Sequence, residues 1–151
     1  MIEIKINCTP IGFVESKIIN KEVKKRKQIS RLIINKNLLD ALEGIEKYSH
    51  LFVIFWMHKM SDENRRMLRV HPRGNKDIPI QGVFATRTSF RPNPIGLTLV
   101  ELLKVKNNIL TVRGLDAYDK TPILDIKPFD RWDMEDNIRL PEWWMQLEKQ
   151  R

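Results

Sequence analysis

Apolar and polar residues alternate at Ile2, Ile4 and Ile6, the period of two that marks a half-buried strand, and Ile11-Gly12-Phe13-Val14 reads as a second extended piece beyond Pro10. The pattern breaks at Lys21 to Lys27, KEVKKRK, which has no apolar periodicity and reads as an exposed loop. Arg31-Leu32-Ile33-Ile34 resumes as a short strand. Asn37 then offers an N-cap to a short helix with Leu38, Leu42 and Ile45 on one face, and Gly44 is placed to end it. Leu51 to Met57, LFVIFWM, is β-branched and aromatic enough to be a core strand buried on both faces. Leu97 to Val105 and Ile109 to Val112 are extended segments joined by Asn107-Asn108, a two-residue turn that tolerates positive φ. Beyond Asp130, Trp132, Trp143 and Trp144 accompany a helix that opens at Pro141. Many short strands, frequent prolines and few helices predict a mainly β fold, a small antiparallel β-barrel with short helical additions. A chain of 151 residues fits one domain, 1–151.

Between the core strand and the long extended segment lies GVFATRTSFRPNPIG, Gly82 to Gly96. Pro92 and Pro94 fix φ near −65° and bias Arg91 and Asn93 towards extended geometry, so the backbone there is restrained. A PNP tripeptide is incompatible with a continuous helix, which places Arg87 and Arg91 on a sheet rim or a connecting loop. Two arginines beside prolines suit either a solvated turn or a binding loop.

Charge changes the picture. Twenty-seven Lys and Arg against 19 Asp and Glu leave a net +8, which favours an anionic partner, nucleic acid before a membrane surface. The single cysteine, Cys8, rules out an internal disulfide. The start, MIEIKINCTP, lacks the features of a secretory signal, and the longest apolar run is far shorter than the ~20 residues that span a bilayer, so the expected compartment is cytoplasmic. His50 and His58 would stand at opposite ends of the core strand and could not share a metal, so with His71 the only other histidine no metal site is expected. Asp116, Asp119 and Asp125 lack the oxygen spacing of a calcium loop and are expected to pair with the arginines.

Motifs exclude more than they assign. There is no GxGxxG, Walker A, HExxH, GxSxG or paired CxxC. What remains is a set of loops rich in Arg, Asp, His and Pro, at Arg26–Gln28, His58–Lys59, Arg73, Arg87–Gly96 and Asp116–Pro128. They would meet at one end of a barrel whose strands run antiparallel.

PIGFVES at Pro10–Ser16, GIEKYSHLFVIFWMH at Gly44–His58, HPRG at His71–Gly74, GVFATRTSFRPNPIG and LDAYDKTPILDIKP at Leu115–Pro128, in that order, resemble the TrmO (TsaA-like) family. The resemblance covers about Pro10 to Phe129. It implies a non-Rossmann β-barrel methyltransferase that uses S-adenosyl-L-methionine and methylates N6 of threonylcarbamoyladenosine next to the tRNA anticodon. It also implies a homodimer with the donor near the subunit interface. Carried over by position, the donor-binding residues would be Arg26, Lys27, Gln28, His58, Lys59, Arg87, Leu97, Ala117, Tyr118, Asp119 and Lys120.

Within that set, Leu97 and the Ala117–Lys120 backbone could receive adenine, Arg87 or another basic group the donor's carboxylate, and Asp119 or a carbonyl near it the sulfonium. Asp119 is the catalytic candidate as base, with His58 the other choice. Arg73, Arg91 or Lys127 could hold the threonyl carboxylate, and Lys24 and Lys25 the phosphates of the anticodon arm. The alternatives are a methyltransferase of this fold acting on another RNA or a small metabolite, and a non-catalytic basic RNA-binding barrel. The chain departs from the commoner family pattern in having Arg26 where Pro is frequent, Ser16-Lys17 where Ser-Pro is frequent, and Lys120 in place of a usual Gly. Longer bacterial members of the family also carry a C-terminal extension, which is not expected here after the Trp-bearing tail.

Overall fold

The computed structural model describes residues 4–17 and 27–148, and the chain forms two compact units. The first comprises Met1–His58 and Ile95–Phe129, the second Lys59–Pro94 and Asp130–Arg151.

The first unit is a closed six-stranded barrel. Its strands are β1 (Gly12–Glu15), β2 (Ile29–Ile34), β3 (His50–Trp56), β6 (Ile95–Lys106), β7 (Ile109–Arg113) and β8 (Pro122–Pro128), ordered β1-β2-β7-β6-β3-β8 and back to β1. All neighbours are antiparallel, and Gly12↔Ile123 with Phe13↔Pro122 closes the ring. Alternation decides what fills it: Val14 from β1, Leu32 and Ile34 from β2, Leu51, Val53 and Phe55 from β3, Val100 from β6, Leu110 and Val112 from β7 and Ile123 from β8 point inwards and are buried. At ~1.5–3 kcal/mol for each large side chain, this core is the main favourable term of the unit. Two glycines make room for it. A Cβ on Gly12 would collide with the Ile33 carbonyl oxygen, and one on Gly96 with the Phe55 ring opposite. Asn107 takes the left-handed conformation, φ 53°, expected of the β6–β7 turn.

Three local expectations change. Residues 4–10 form no regular element, and Ile4 and Ile6 are exposed, because the ladder begins only at Gly12 and no strand pairs with them. LFVIFWM is buried on one face rather than two: Phe52, Ile54 and Trp56 lie half-exposed on the outside of the barrel, where Phe52 meets Phe129 edge-on. The helix predicted after Asn37 is a 3-10 helix over Lys36–Leu42 with Asn35 at its N-cap, and only Leu42 is buried. A stretch that brings one side chain to the core has little to hold a longer α-helix.

The second unit contains α1 (Asp62–Arg66), a two-residue ladder of β4 (Arg69–Val70) with β5 (Gln81–Gly82), and α2 (Glu142–Glu148) after Pro141. Its buried apolar residues are few: Ile78, Val83 and Leu147, beside buried Pro72 and Pro94. Among the described residues no helix is long and apolar enough to cross a membrane.

Candidate functional site

Strand direction gathers one set of loops. The C-terminal ends of β1, β3 and β7 and the starts of β2, β6 and β8 face the same end of the barrel. Four of the sequence-selected segments reach it, through Ser16, Gln28, His58 and Leu115–Lys120. Gln28 is fastened to the aspartate loop twice: its Nε2 donates to the Leu115 carbonyl at 2.8 Å, and the Gly114 N–H donates to the Gln28 carbonyl at 2.9 Å. Leu115 and Ala117 turn inwards and are buried, so alternate residues of the loop plug the barrel while Asp116 stays exposed and Tyr118 and Asp119 half-buried.

The far side of that loop is tied to β1. Asp119 Oδ1 accepts the Ser16 N–H at 2.9 Å, and the Lys120 N–H donates to the Val14 carbonyl at 2.8 Å. The second carboxylate oxygen of Asp119 has no hydrogen-bond partner among the described residues. Lys120 adopts φ 62° and holds its ammonium 4.9 Å from the centre of the Phe13 ring. The left-handed backbone usual for Gly is thus kept here by a Lys, with a cation–π contact in partial return. Thr121, buried, places its hydroxyl 3.3 Å from Nδ1 of the exposed His58.

The expected pairing of aspartates with arginines does not occur at two of the three positions. Asp119 caps backbone, and Asp125 pairs with Lys127 at 2.9 Å and with its own neighbour's N–H. Asp119 takes a backbone donor, and Asp125 a side chain two residues along its own strand. Lys127 is therefore engaged. Leu97, the third residue of β6, is near the mouth end but turns its side chain to the outer face of the barrel, opposite Ile54, where it is 51% exposed. Among the described residues no group of three His, Cys, Asp or Glu could hold a metal. Lys27 is exposed at a turn, while Lys24, Lys25 and Arg26 lie outside the described residues.

Lys59, Arg73, Arg87 and Arg91 belong to the second unit. There the Gly82–Gly96 stretch is held by polar contacts. The Val83 carbonyl accepts from the Thr86 N–H, the Thr86 hydroxyl and Arg91 Nη2, and the same Nη2 also reaches the Thr86 carbonyl at 2.8 Å. Thr86 and Thr88 hydroxyls each accept an N–H two residues on. Arg91 is thus an internal strut, half-buried, rather than an open cation, whereas Arg87 and Arg73 are exposed. Sequence reasoning selected Arg91 for charge alone. It named Ser16 without giving it a role and passed over Thr121, because both contacts depend on which strand end lies beside which, and it passed over Phe84, whose exposure no periodicity foretells.

The tRNA-methyltransferase O N-terminal domain model matches residues 14–133. A protein of Methanothermobacter thermautotrophicus described as a probable S-adenosyl-L-methionine-binding protein is 42% identical over 134 residues, 85% of this chain and 93% of that one. The Escherichia coli tRNA (adenine(37)-N6)-methyltransferase is 44% identical over 104 residues, 65% of this chain but 43% of that enzyme. A crystal structure of TrmO from Pseudomonas aeruginosa superposes with a TM-score of 0.72 at 30% identity, covering 90% of this chain and 61% of the other. The chain thus spans nearly all of the archaeal relative and under two thirds of the solved structure.

Proposed function

We propose, because the chain belongs to the tRNA-methyltransferase O N-terminal-domain family, that it is an S-adenosylmethionine-dependent methyltransferase acting on tRNA. The barrel mouth carries the reading. Gln28, His58 and Ala117–Lys120, all assigned to the donor by resemblance, are brought to one end of the barrel, and most are fixed there by hydrogen bonds across loops distant in sequence.

These residues fit the donor's chemistry. Leu115 and Ala117 anchor the loop in the core, so its backbone is held in place to receive adenine. S-adenosylmethionine, when bound, supplies a methyl group on a sulfonium. Asp119 then has a definable task, since the Ser16 N–H fixes the carboxylate and leaves Oδ2 to hold the proton of the acceptor nitrogen. His58, oriented through Nδ1 by Thr121, is the alternative proton acceptor. Holding donor and acceptor in line is the larger contribution of such a site.

The finer reading is methylation of N6 of threonylcarbamoyladenosine beside the anticodon. Of the three cations considered for the threonyl carboxylate, Arg91 and Lys127 are engaged within the fold, which favours Arg73. A tRNA acceptor sets the work of the protein in the cytoplasm. A homodimer is supported by the outer face of β3 and β6, where Phe52, Ile54, Trp56, Ile95, Leu97 and Leu99 form an apolar strip. A second copy covering it would enclose Leu97, one of the residues assigned to the donor by resemblance.

The test is methyl transfer from labelled donor to tRNA with and without the threonylcarbamoyl group. Label confined to the modified tRNA is expected. Equal labelling of both would overturn the finer specificity, and donor binding without transfer to any tRNA would overturn the tRNA reading. Light scattering showing a monomer at micromolar concentration would reject the dimer.

A further inference from the structure

Phe84 is 82% exposed, yet the turn that carries it is closely held. Val83, one residue before, is buried, and its N–H donates to the Leu68 carbonyl at 3.0 Å. Its own carbonyl takes three donors from Thr86 and Arg91. A large apolar ring is therefore raised on a rigid pedestal into solvent. Burying a Phe ring is one of the larger gains open to a fold, and here the backbone is fixed while the ring contributes none of it.

The surroundings identify an occupant. Leu68, 65% exposed, lies beside the pedestal, and Arg69 pairs with Gly82 two residues before Phe84. Residues 59–94 contain eight Lys and Arg against three Asp and Glu. Arg66 and Arg69 are exposed, and neither forms an ion pair among the described residues. A partner of opposite charge that also presents flat apolar faces is single-stranded nucleic acid, whose phosphates suit uncompensated arginines and whose bases stack on aromatic rings.

We propose that Phe84 is a stacking platform for an unpaired base of the RNA acceptor, with Arg66 and Arg69 contacting its backbone. This rests on the RNA-acceptor reading and deepens it, since Phe84 is outside the residues assigned to the donor. Pre-placing the ring lowers the ordering cost of binding, so the stacking of a base on it is retained as affinity.

The experiment titrates full-length protein into an anticodon stem-loop RNA carrying 2-aminopurine at each unpaired loop position in turn, following its fluorescence. Wild type is expected to quench one position strongly. Phe84→Ala should abolish that quenching and weaken binding ~10-fold or more, and Phe84→Tyr should restore both. Donor affinity by calorimetry should be the same in all three. Arg69→Ala should lower the slope of affinity against salt by about one. Equal RNA affinity and quenching in wild type and Phe84→Ala would overturn the proposal. So would a shift to monomer or a loss of donor binding in Phe84→Ala, which would assign the ring to self-assembly or to the donor. Wild type that binds the donor but no stem-loop would instead overturn the RNA reading, and this inference with it.

Discussion

The two units order their functional loops by opposite means. In the barrel, the aspartate loop rides on a closed ladder and inserts Leu115 and Ala117 into a continuous apolar core. In the second unit the Gly82–Gly96 stretch has little core beneath it and is held by side chains reaching carbonyls: Arg91 on Val83 and Thr86, and Arg65 on Pro92. Apolar burial is spread over many residues, whereas a guanidinium strut concentrates order in one. The barrel loop should therefore fail only with the barrel, and the second loop should fail locally by single substitutions.

The sharpest challenge to this contrast is Leu110→Ala, at a fully buried position of β7. A loss of ~2–5 kcal/mol in denaturant unfolding is expected, with amides of all six strands losing protection together. Protection lost in β7 alone would contradict a cooperative barrel. Asp119→Asn comes next. The amide oxygen can still accept the Ser16 N–H, so stability should change by under about 0.5 kcal/mol, while methyl transfer should fall ~100-fold through loss of the charge. Equal falls in stability and turnover would reduce Asp119 to a loop tie.

Arg91→Met should cost about 2 kcal/mol of local order, seen as faster hydrogen exchange at Thr86, Thr88 and Phe90 with barrel strands unaffected. Uniform loss across both units would erase the distinction drawn here. The smallest effect is expected for Lys120→Gly, which relieves a left-handed backbone and removes the cation over Phe13. A net gain of ~0.5 kcal/mol in unfolding free energy is expected, and a clear loss would mean that the cation–π contact outweighs the strain.

Most of the barrel was legible because its cause is periodic. LFVIFWM, the long segment before Asn107 and the run after it each became a strand within a residue or two of the expected bounds. Ile2–Ile4–Ile6 shows the limit: alternation states what a strand would bury, not whether a partner strand exists, and Ile4 and Ile6 remain exposed. The site was legible as a set of residue types and only partly as a set of roles. Arg87 and Arg91 read alike in sequence, and the difference between an exposed cation and a backbone strut depends on where two carbonyls, five and eight residues earlier, fall in space. Thr121 gave no signal at all, since its contact with His58 joins the ends of β3 and β8.

The pairing of Trp56 with Ile95 makes residues 57–94, seen from the barrel, a single hairpin connection of unusual length. The entropy of closing such a connection grows only with the logarithm of its length, about 0.6 kcal/mol for each doubling. The barrel is thus nearly indifferent to what that excursion contains. Every ladder contact of the barrel lies outside that excursion, so changes of length or content within 59–94 are expected to leave the six strand registers intact.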